Sequence, residues 1–383
     1  MKISLISGEY PPVSGGIGAL ALCLTRGLAL AGAKVTVITT SGTTITDTPS
    51  EISEGIDVRR TCPTLNLRYV KLLPLWLSAS RVHFRERPDY VLAMVWTHDG
   101  LVAYLLKKLF GLRYAIFAHG SEIIQTQGRL QRRLMTKIFR KADWVVANSH
   151  FTQRQVAALG IDIKKITVIH PPVERSSLLA ASSIDHEFGL EGRRFLLTAA
   201  RLVKRKGHGQ VIRVLSQIRN HYPDLAYVIT GNGSLRSTLE LLAQEYGVQD
   251  RVRFAGYVSR DKLCQLYRRC TIYISPSEDD EGDVEGFGIS LLEAGSYGKP
   301  VIAGRSGGVS DAVLDHQTGL LVDSRDLEEI RTALVTLLDK PALAEQLGQR
   351  ARERVDSEFS LHGQGERLLR VLPTTKPHST SLA

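Results

Sequence analysis

The chain has 383 residues, 43% of them hydrophobic, enough for two domains that each bury a core of their own. Four cysteines, Cys23, Cys62, Cys264 and Cys270, lack CxxC spacing, which argues against a disulfide framework or a zinc site and fits a reducing compartment. The net charge of +10 is concentrated: residues 68–141 hold 14 Lys/Arg against 4 Asp/Glu, and the rest of the chain is balanced, so an anionic partner (a lipid surface, nucleic acid or a phosphorylated acceptor) is expected along that stretch.

The opening MKISLISGEYPP ends its apolar run at Gly8-Glu9 and does not read as a signal peptide. No apolar run reaches the roughly 18–20 residues that span a bilayer, so a soluble or surface-attached protein is expected. A strand at 2–7, a helix at 17–31 and a buried strand at 34–39 make a βαβ start. Strand-like runs recur at 90–95, 114–118, 144–147 and 166–169 with helical stretches between them, the alternation of a parallel sheet covered by helices. Pro171, Pro172 and a Ser/Ala-rich run interrupt the pattern at 170–189, where a domain boundary is expected. The pattern then restarts. Strands are predicted at 195–199, 226–230, 252–255, 272–275 and 300–303, and helices at 209–220, 236–246, 262–269 and 288–297. One long helix is predicted at 327–354, then a shorter one near 360–371 and a polar, disordered tail at 373–383. The fold class is therefore α/β. Two Rossmann-like, doubly wound domains, at 1–175 and 187–355, are expected to face each other across a cleft, with ligands at the carboxyl ends of the strands.

The most informative stretch is Glu285-Gly-Phe-Gly-Ile-Ser-Leu-Leu-Glu293, a glycine-rich turn running into an apolar helix. The backbone N–H groups of Phe287, Gly288 and Ile289 at a helix N-terminus suit an anion such as a diphosphate. Glu293 lies five residues beyond Gly288, about 7.5 Å along the axis. It suits the two hydroxyls of a ribose better than a phosphate, and Glu285 stands on the sugar side of the phosphates. Either glutamate alone also reads as a helix cap or a solvated helix residue.

Arg201 and Lys206 follow the strand at 195–199 in RLVKRKG, placed to neutralise charge on a leaving diphosphate, although a solvated basic turn has the same composition. Ser14-Gly-Gly-Ile-Gly18 supplies Gly15 and Gly16 for close backbone approach. It is not GxGxxG and reads equally as a helix start. His119, in His119-Gly-Ser-Glu122 after the strand at 114–118, can donate to a sugar hydroxyl or serve structure alone. The acidic run at 278–283 lacks metal-ligand spacing and reads as a solvated loop, so no metal site is expected.

With these residues in hand, the sequence resembles the family-4 GT-B retaining glycosyltransferases. EGFGISLLE matches their E-x7-E motif, and ARLVKRKG, SGGIG, HGSE, ANSHFT and SGGVSDAV…TGLLV resemble their other blocks in the family's order, over about residues 1–360. DVEGFG resembles the form found in phosphatidylinositol-mannoside mannosyltransferases, which favours GDP-mannose over a UDP-sugar as donor. The resemblance implies that Gly15 and Gly16 line the donor diphosphate, that His119 contacts the sugar, and that Arg201 and Lys206 hold the diphosphate. It further implies that Glu285 and the amides of Phe287, Gly288 and Ile289 hold sugar and phosphate, that Glu293 holds the ribose, and that the loop from Gly256 to Val258 touches the base. It implies front-face transfer with retention, without cofactor or metal, to a lipid-linked or glycan acceptor in glycolipid or polysaccharide synthesis, and a C-terminal helix at about 356–372 that returns to the acceptor-side first domain. The linker His170-Pro-Pro-Val173 departs from the Asn-Gly turn of many members without touching a donor contact.

The segment GRLQRRLMTKIFRKA at 128–142 reads as a basic amphipathic helix. Leu130, Leu134, Met135, Ile138 and Phe139 are predicted on one side, and Arg132, Arg133, Lys137 and Arg140 largely on the other. Such a helix packs on a core or lies on an anionic membrane. A cytoplasmic location, peripheral at the inner face of the cell membrane, is expected, with no nucleic-acid partner. Two alternatives stay open: a nucleotide-sugar epimerase on the same fold, and a catalytically silent protein that binds anionic surfaces. A nicotinamide dehydrogenase is disfavoured by the missing GxGxxG.

Overall fold

A computed structural model describes residues 1–12, 15–40, 55–61, 72–175 and 184–372. Cys62, Ser14, Lys71 and the tail at 373–383 lie outside the described residues. The chain divides into two compact units. Unit 1 comprises residues 1–148, 152–172 and 359–383; unit 2 comprises residues 149–151 and 173–358.

Unit 1 contains β1 (Lys2–Ser7), α1 (Gly16–Leu30), β2 (Lys34–Thr40), β3 (Ile56–Thr61), α2 (Leu72–Glu86), β4 (Tyr90–Ala93), α3 (His98–Phe110), β5 (Tyr114–Ala118), α4 (Ser121–Gln125), α5 (Arg129–Lys141), β6 (Trp144–Ala147), most of α6 (His150–Ala157), and β7 (Ile166–Val168). Its seven strands run in the order β3-β2-β1-β4-β5-β6-β7, and every pairing is parallel. Strands covered on both faces must be apolar throughout, and β4 and β5 are buried at every residue. Ile6, Ile38, Val91, Tyr114, Ile116 and Val145 anchor the core.

Unit 2 contains α7 (Ile184–Phe188), β8 (Arg194–Ala199), α8 (His208–Ile218), β9 (Leu225–Thr230), α9 (Arg236–Glu245), β10 (Val252–Gly256), α10 (Arg260–Arg269), β11 (Ile272–Ser275), α11 (Ile289–Ser296), β12 (Val301–Gly304), α12 (Val309–Ala312), β13 (Leu320–Val322), α13 (Leu327–Asp339) and α14 (Pro341–Glu358). Its six strands run β10-β9-β8-β11-β12-β13, again all parallel. Leu196, Tyr227, Ile229, Ile274, Ile302, Leu215 and Leu334 lie in its core.

Two sequence expectations are corrected. The predicted single helix at 327–354 is two, α13 and α14, because Pro341 has no N–H to continue the first and holds Lys340 out of the helical region. The returning C-terminal helix, α15 (Leu361–Val371), starts after Ser360, whose side chain caps the Gly363 amide, and residues 356–358 belong to α14. It packs on α1 within unit 1 so closely that a Cβ on Gly365 would lie 2.1 Å from the carbonyl oxygen of Gly27. On α5, Met135, Ile138 and Phe139 are buried, whereas Leu130 is 80% exposed and Leu134 37%. The apolar side of that helix therefore continues past the core.

Candidate active site

The order of the second sheet explains its site. β8 and β11 are neighbours, although β9 and β10 separate them in sequence, so the chain's winding reverses between them. Two loops leave the carboxyl ends of this adjacent pair: residues 200–207 after β8 and residues 276–288 after β11. Loops on either side of such a reversal leave the crevice in which open α/β sheets bind ligands.

Arg205 and Lys206 arrive on the first loop and Glu285 on the second. The Lys206 ammonium donates to Glu285 Oε2, and Arg205 Nη1 donates to the same oxygen at 2.7 Å. Arg205 Nε also lies 3.0 Å from Asp283 Oδ1. The Lys206, Arg205 and Glu285 side chains are only 12%, 7% and 13% exposed, so these charges are held away from bulk water. Burial alone would raise the Glu285 carboxyl, but the Lys206 and Arg205 charges outweigh it and pull it down to about 2. Burial and the neighbouring Arg205 and Arg201 leave the Lys206 ammonium lowered despite Glu285, since that one carboxylate serves two cations. Exposed Arg201 adds its charge near Lys206, on the same loop. An anionic group fits there.

The turn after Glu285 is held from behind. The Gly308 amide donates to the Glu285 carbonyl at 2.8 Å and the Ser149 hydroxyl donates to the Gly286 carbonyl at 2.8 Å. A Cβ on Gly308 would come within 2.0 Å of that Gly286 oxygen, which is why SGGVSDAV needs a glycine there. Gly288, with φ 95°, opens α11 in the left-handed region. No acidic residue occupies the first turn of α11, and no side chain caps it by a hydrogen bond. Phe287 is buried beneath this turn, and Ile289 begins the helix.

Glu293 sits two-thirds of the way along α11. Arg260 Nη1 donates to its Oε1 at 2.5 Å, and the Tyr267 hydroxyl donates to Oε2 at 2.8 Å. Gly256 ends β10, and the exposed Tyr257 and half-buried Val258 follow it.

Below the loop at 200–207, His208 is buried. Its Nε2–H donates to the Arg201 carbonyl at 3.1 Å, and its Nδ1 accepts from the Tyr227 hydroxyl at 3.2 Å. Burial lowers the imidazole to about 4. A folded-state value below the ordinary 6.5 means that the unfolded chain takes up the proton first as the pH falls. The resulting stabilisation is complete above pH 6.5 and fades down to pH 4. It amounts to about 3 kcal/mol, of which about 2 kcal/mol is lost by pH 5. Urea unfolding at pH 7 and pH 5 should show this loss in the wild type and a smaller one in His208→Gln.

In unit 1, Gly15 precedes α1 with an extended backbone, and Gly16 is the first residue of that helix. A Cβ on Gly15 would meet Glu9 Oε2 at 2.3 Å, whereas Gly16 is open to solvent. His119 follows β5. Its Nε2–H donates to the Met94 carbonyl at 2.6 Å, and its own amide donates to Glu122 Oε1 at 2.7 Å. The remaining ring nitrogen, Nδ1, therefore accepts in the neutral imidazole.

The acidic run at 278–283 is also more tied than a solvated loop. Lys204 pairs with Asp280 at 2.6 Å, Ser306 donates to Asp279, and Asp283 meets Arg205. Sequence reading passed over Arg205, Ser306, Arg260 and Tyr267. Arg205 was legible as the third cation of RLVKRKG and Ser306 as the first residue of SGGVSDAV; Arg260 and Tyr267 lie outside the quoted motifs.

Two family models cover most of the chain: "Glycosyltransferase Family 4" matches residues 14–177 and "Glycosyl transferases group 1" residues 183–354. The chain is 30% identical over 278 residues, 71% of its length and 73% of the relative's, to a GDP-mannose-dependent alpha-(1-6)-phosphatidylinositol monomannoside mannosyltransferase of Mycolicibacterium smegmatis. It is 28% identical over 390 residues to a glycogen synthase of Mycobacterium tuberculosis, covering 94% of this chain and 91% of that one. Among solved structures it is similar to Anabaena HepE in complex with UDP and glucose, with a TM-score of 0.78 at 19% identity over 97% of this chain and 99% of that one. With two parallel α/β sheets, the two family models and these relatives, the chain belongs to the family-4 (group 1) glycosyltransferases and is a GT-B hexosyltransferase that transfers sugar from a nucleotide sugar.

Proposed function

We propose that this enzyme is a retaining mannosyltransferase that moves mannose from GDP-mannose to a lipid-linked or glycan acceptor in glycolipid or polysaccharide synthesis, without a metal. The observation that carries the reading is the buried cluster of Lys206, Arg205 and Glu285 beside the uncapped first turn of α11. Fixed cations and backbone amides supply the positive field that a departing diphosphate needs, which is the task a metal performs in other sugar transfers. Lys206 and Arg201 take the diphosphate, the Phe287, Gly288 and Ile289 amides hold its oxygens, and Glu293 takes the ribose. Glu285 orients Lys206 and faces the sugar, whose anomeric carbon gains positive charge as its bond to phosphate breaks. The base lies against Gly256 and Val258. In unit 1, the corresponding roles are phosphate approach at Gly15 and Gly16 and a sugar hydroxyl at His119.

The DVEGFG form and the similarity to a GDP-mannose-dependent enzyme support mannose. A thermal-shift screen with GDP, UDP, ADP and their common sugar conjugates, run with EDTA, tests it, because a nucleotide that binds only the folded state raises the melting temperature. GDP and GDP-mannose are expected to stabilise the wild type by several degrees and Glu293→Ala hardly at all. A response to UDP compounds alone would discard mannose, and stabilisation or transfer abolished by EDTA would discard the metal-free mechanism.

The acceptor side of the reading is a cytoplasmic enzyme peripheral at an anionic membrane. Among the described residues no helix is long and apolar enough to cross a membrane. α5 instead offers six cations and no acid, with Leu130 and Leu134 exposed among them. That is the composition of a helix lying in a bilayer interface, where each cation contributes about 1 kcal/mol. Co-sedimentation with phosphatidylglycerol-containing vesicles is expected, and it should fall at least tenfold in Arg129→Glu/Arg132→Glu/Arg133→Glu and in high salt. Equal sedimentation with neutral phosphatidylcholine vesicles would remove the charge-based attachment.

A further inference from the structure

Glu293 has a fixed mount outside the motifs quoted above. Glu293 offers two oxygens with about four acceptor positions. Arg260 occupies one on Oε1 and Tyr267 one on Oε2, which leaves one on each oxygen. A ribose presents two adjacent hydroxyl donors, so the remaining pair matches it in number and spacing.

Both mounting groups are themselves immobilised. The second guanidinium nitrogen of Arg260, Nη2, donates to the Glu174 carbonyl at 3.0 Å, so the side chain is held at both edges of its fork. Tyr267 is fully buried, and its ring stacks on Tyr297 with centroids 6.0 Å apart and planes 12° apart. Carboxylates on exposed helix faces sample several rotamers, and immobilising a side chain during binding costs about 0.5–1.5 kcal/mol. A carboxylate already locked avoids that cost.

We propose that Arg260 and Tyr267 are positioning residues for the nucleotide: they hold Glu293 in one rotamer with its free acceptor positions turned to the ribose hydroxyls. This rests on Glu293 being the ribose ligand.

Calorimetric titration of GDP into the full chain tests it, using wild type, Arg260→Gln, Arg260→Lys, Tyr267→Phe, Glu293→Ala and the double variant Arg260→Gln/Glu293→Ala. Arg260→Gln is expected to raise Kd about tenfold and Tyr267→Phe about threefold, with KM for the donor rising and kcat nearly unchanged. Arg260→Lys should recover only part of the loss, since an ammonium cannot bridge Glu293 and the Glu174 carbonyl with the same geometry. In the double variant the Arg260 change should add nothing to Glu293→Ala, because its effect acts through that carboxylate. Penalties that simply add, or a Kd unchanged in both Arg260→Gln and Tyr267→Phe while Glu293→Ala loses binding, would overturn the positioning role and leave the proposed function standing. If Arg260→Gln fails to fold, Tyr267→Phe and Arg260→Lys decide the matter. A wild type that binds neither GDP nor UDP would overturn the proposed function and this assignment together.

Discussion

Glu285→Ala is expected to lower turnover by about two to three orders of magnitude while leaving nucleotide affinity within a few-fold of wild type. The carboxylate receives both Lys206 and Arg205, and in the proposed mechanism its removal takes away the group that aims the ammonium at the leaving phosphate. On the same proposal it removes the negative charge facing the sugar. Ground-state binding of the diphosphate suffers little, because the cations and the α11 amides stay in place and one counter-charge no longer competes for them. The same substitution leaves Lys206 buried without its carboxylate and Arg205 with Asp283 alone, and breaking a buried pair in this way costs about 3–5 kcal/mol. The variant should therefore melt earlier than wild type and show a larger stabilisation by GDP, whose phosphates restore the missing charge. Steady-state kinetics with a thermal-shift titration read both effects. Glu285→Gln, which keeps the shape without the charge, should follow Glu285→Ala in turnover. A turnover within threefold of wild type in both variants would remove Glu285 from the chemistry.

Lys206→Ala has the next largest expected effect, with nucleotide affinity about a hundredfold weaker and kcat/KM reduced at least as much. A charge-assisted contact to a phosphate contributes about 1.5–3 kcal/mol, and more where water is excluded. Arg205 cannot take over. It is the more deeply buried of the two and is spent on Asp283 and Glu285 together, whereas Lys206 has Glu285 alone. With Lys206 gone, Glu285 keeps Arg205, which it shares with Asp283, so stability should change less than in Glu285→Ala. A Lys206→Ala enzyme that bound and used the donor like wild type would end the assignment of this loop to the diphosphate.

The central strands were legible because strands covered on both faces must be continuous apolar runs, and those at 2–7, 114–118, 144–147 and 272–275 are found where the runs lie. The strands passed over lie at sheet edges. β3, IDVRRT, is half-buried along most of its length and its polar residues read as a loop, while β13 is only three residues long. The break at Pro341 was present in the sequence and outweighed by the apolar periodicity on either side. α5 shows the opposite limit: its 3.6-residue pattern predicted a single apolar face, but periodicity does not say how far the core extends, and it stops short of Leu134 and Leu130.

By itself, the sequence determined the α/β class, the glycine-rich turn into α11, and most of the charged residues from which the candidate site is built. Backbone propensity, side-chain volume and the chemistry of single residues are local properties. Only the tertiary structure decided which charges face one another. Lys206 and Glu285 are 79 positions apart, and Arg260 and Glu293 are 33 apart. The first pair meets because strand order places β8 beside β11; the second meets because α10 packs against α11. Ion pairing acts over a few ångströms in space, and the distance along the chain carries no record of it until the strand order is known.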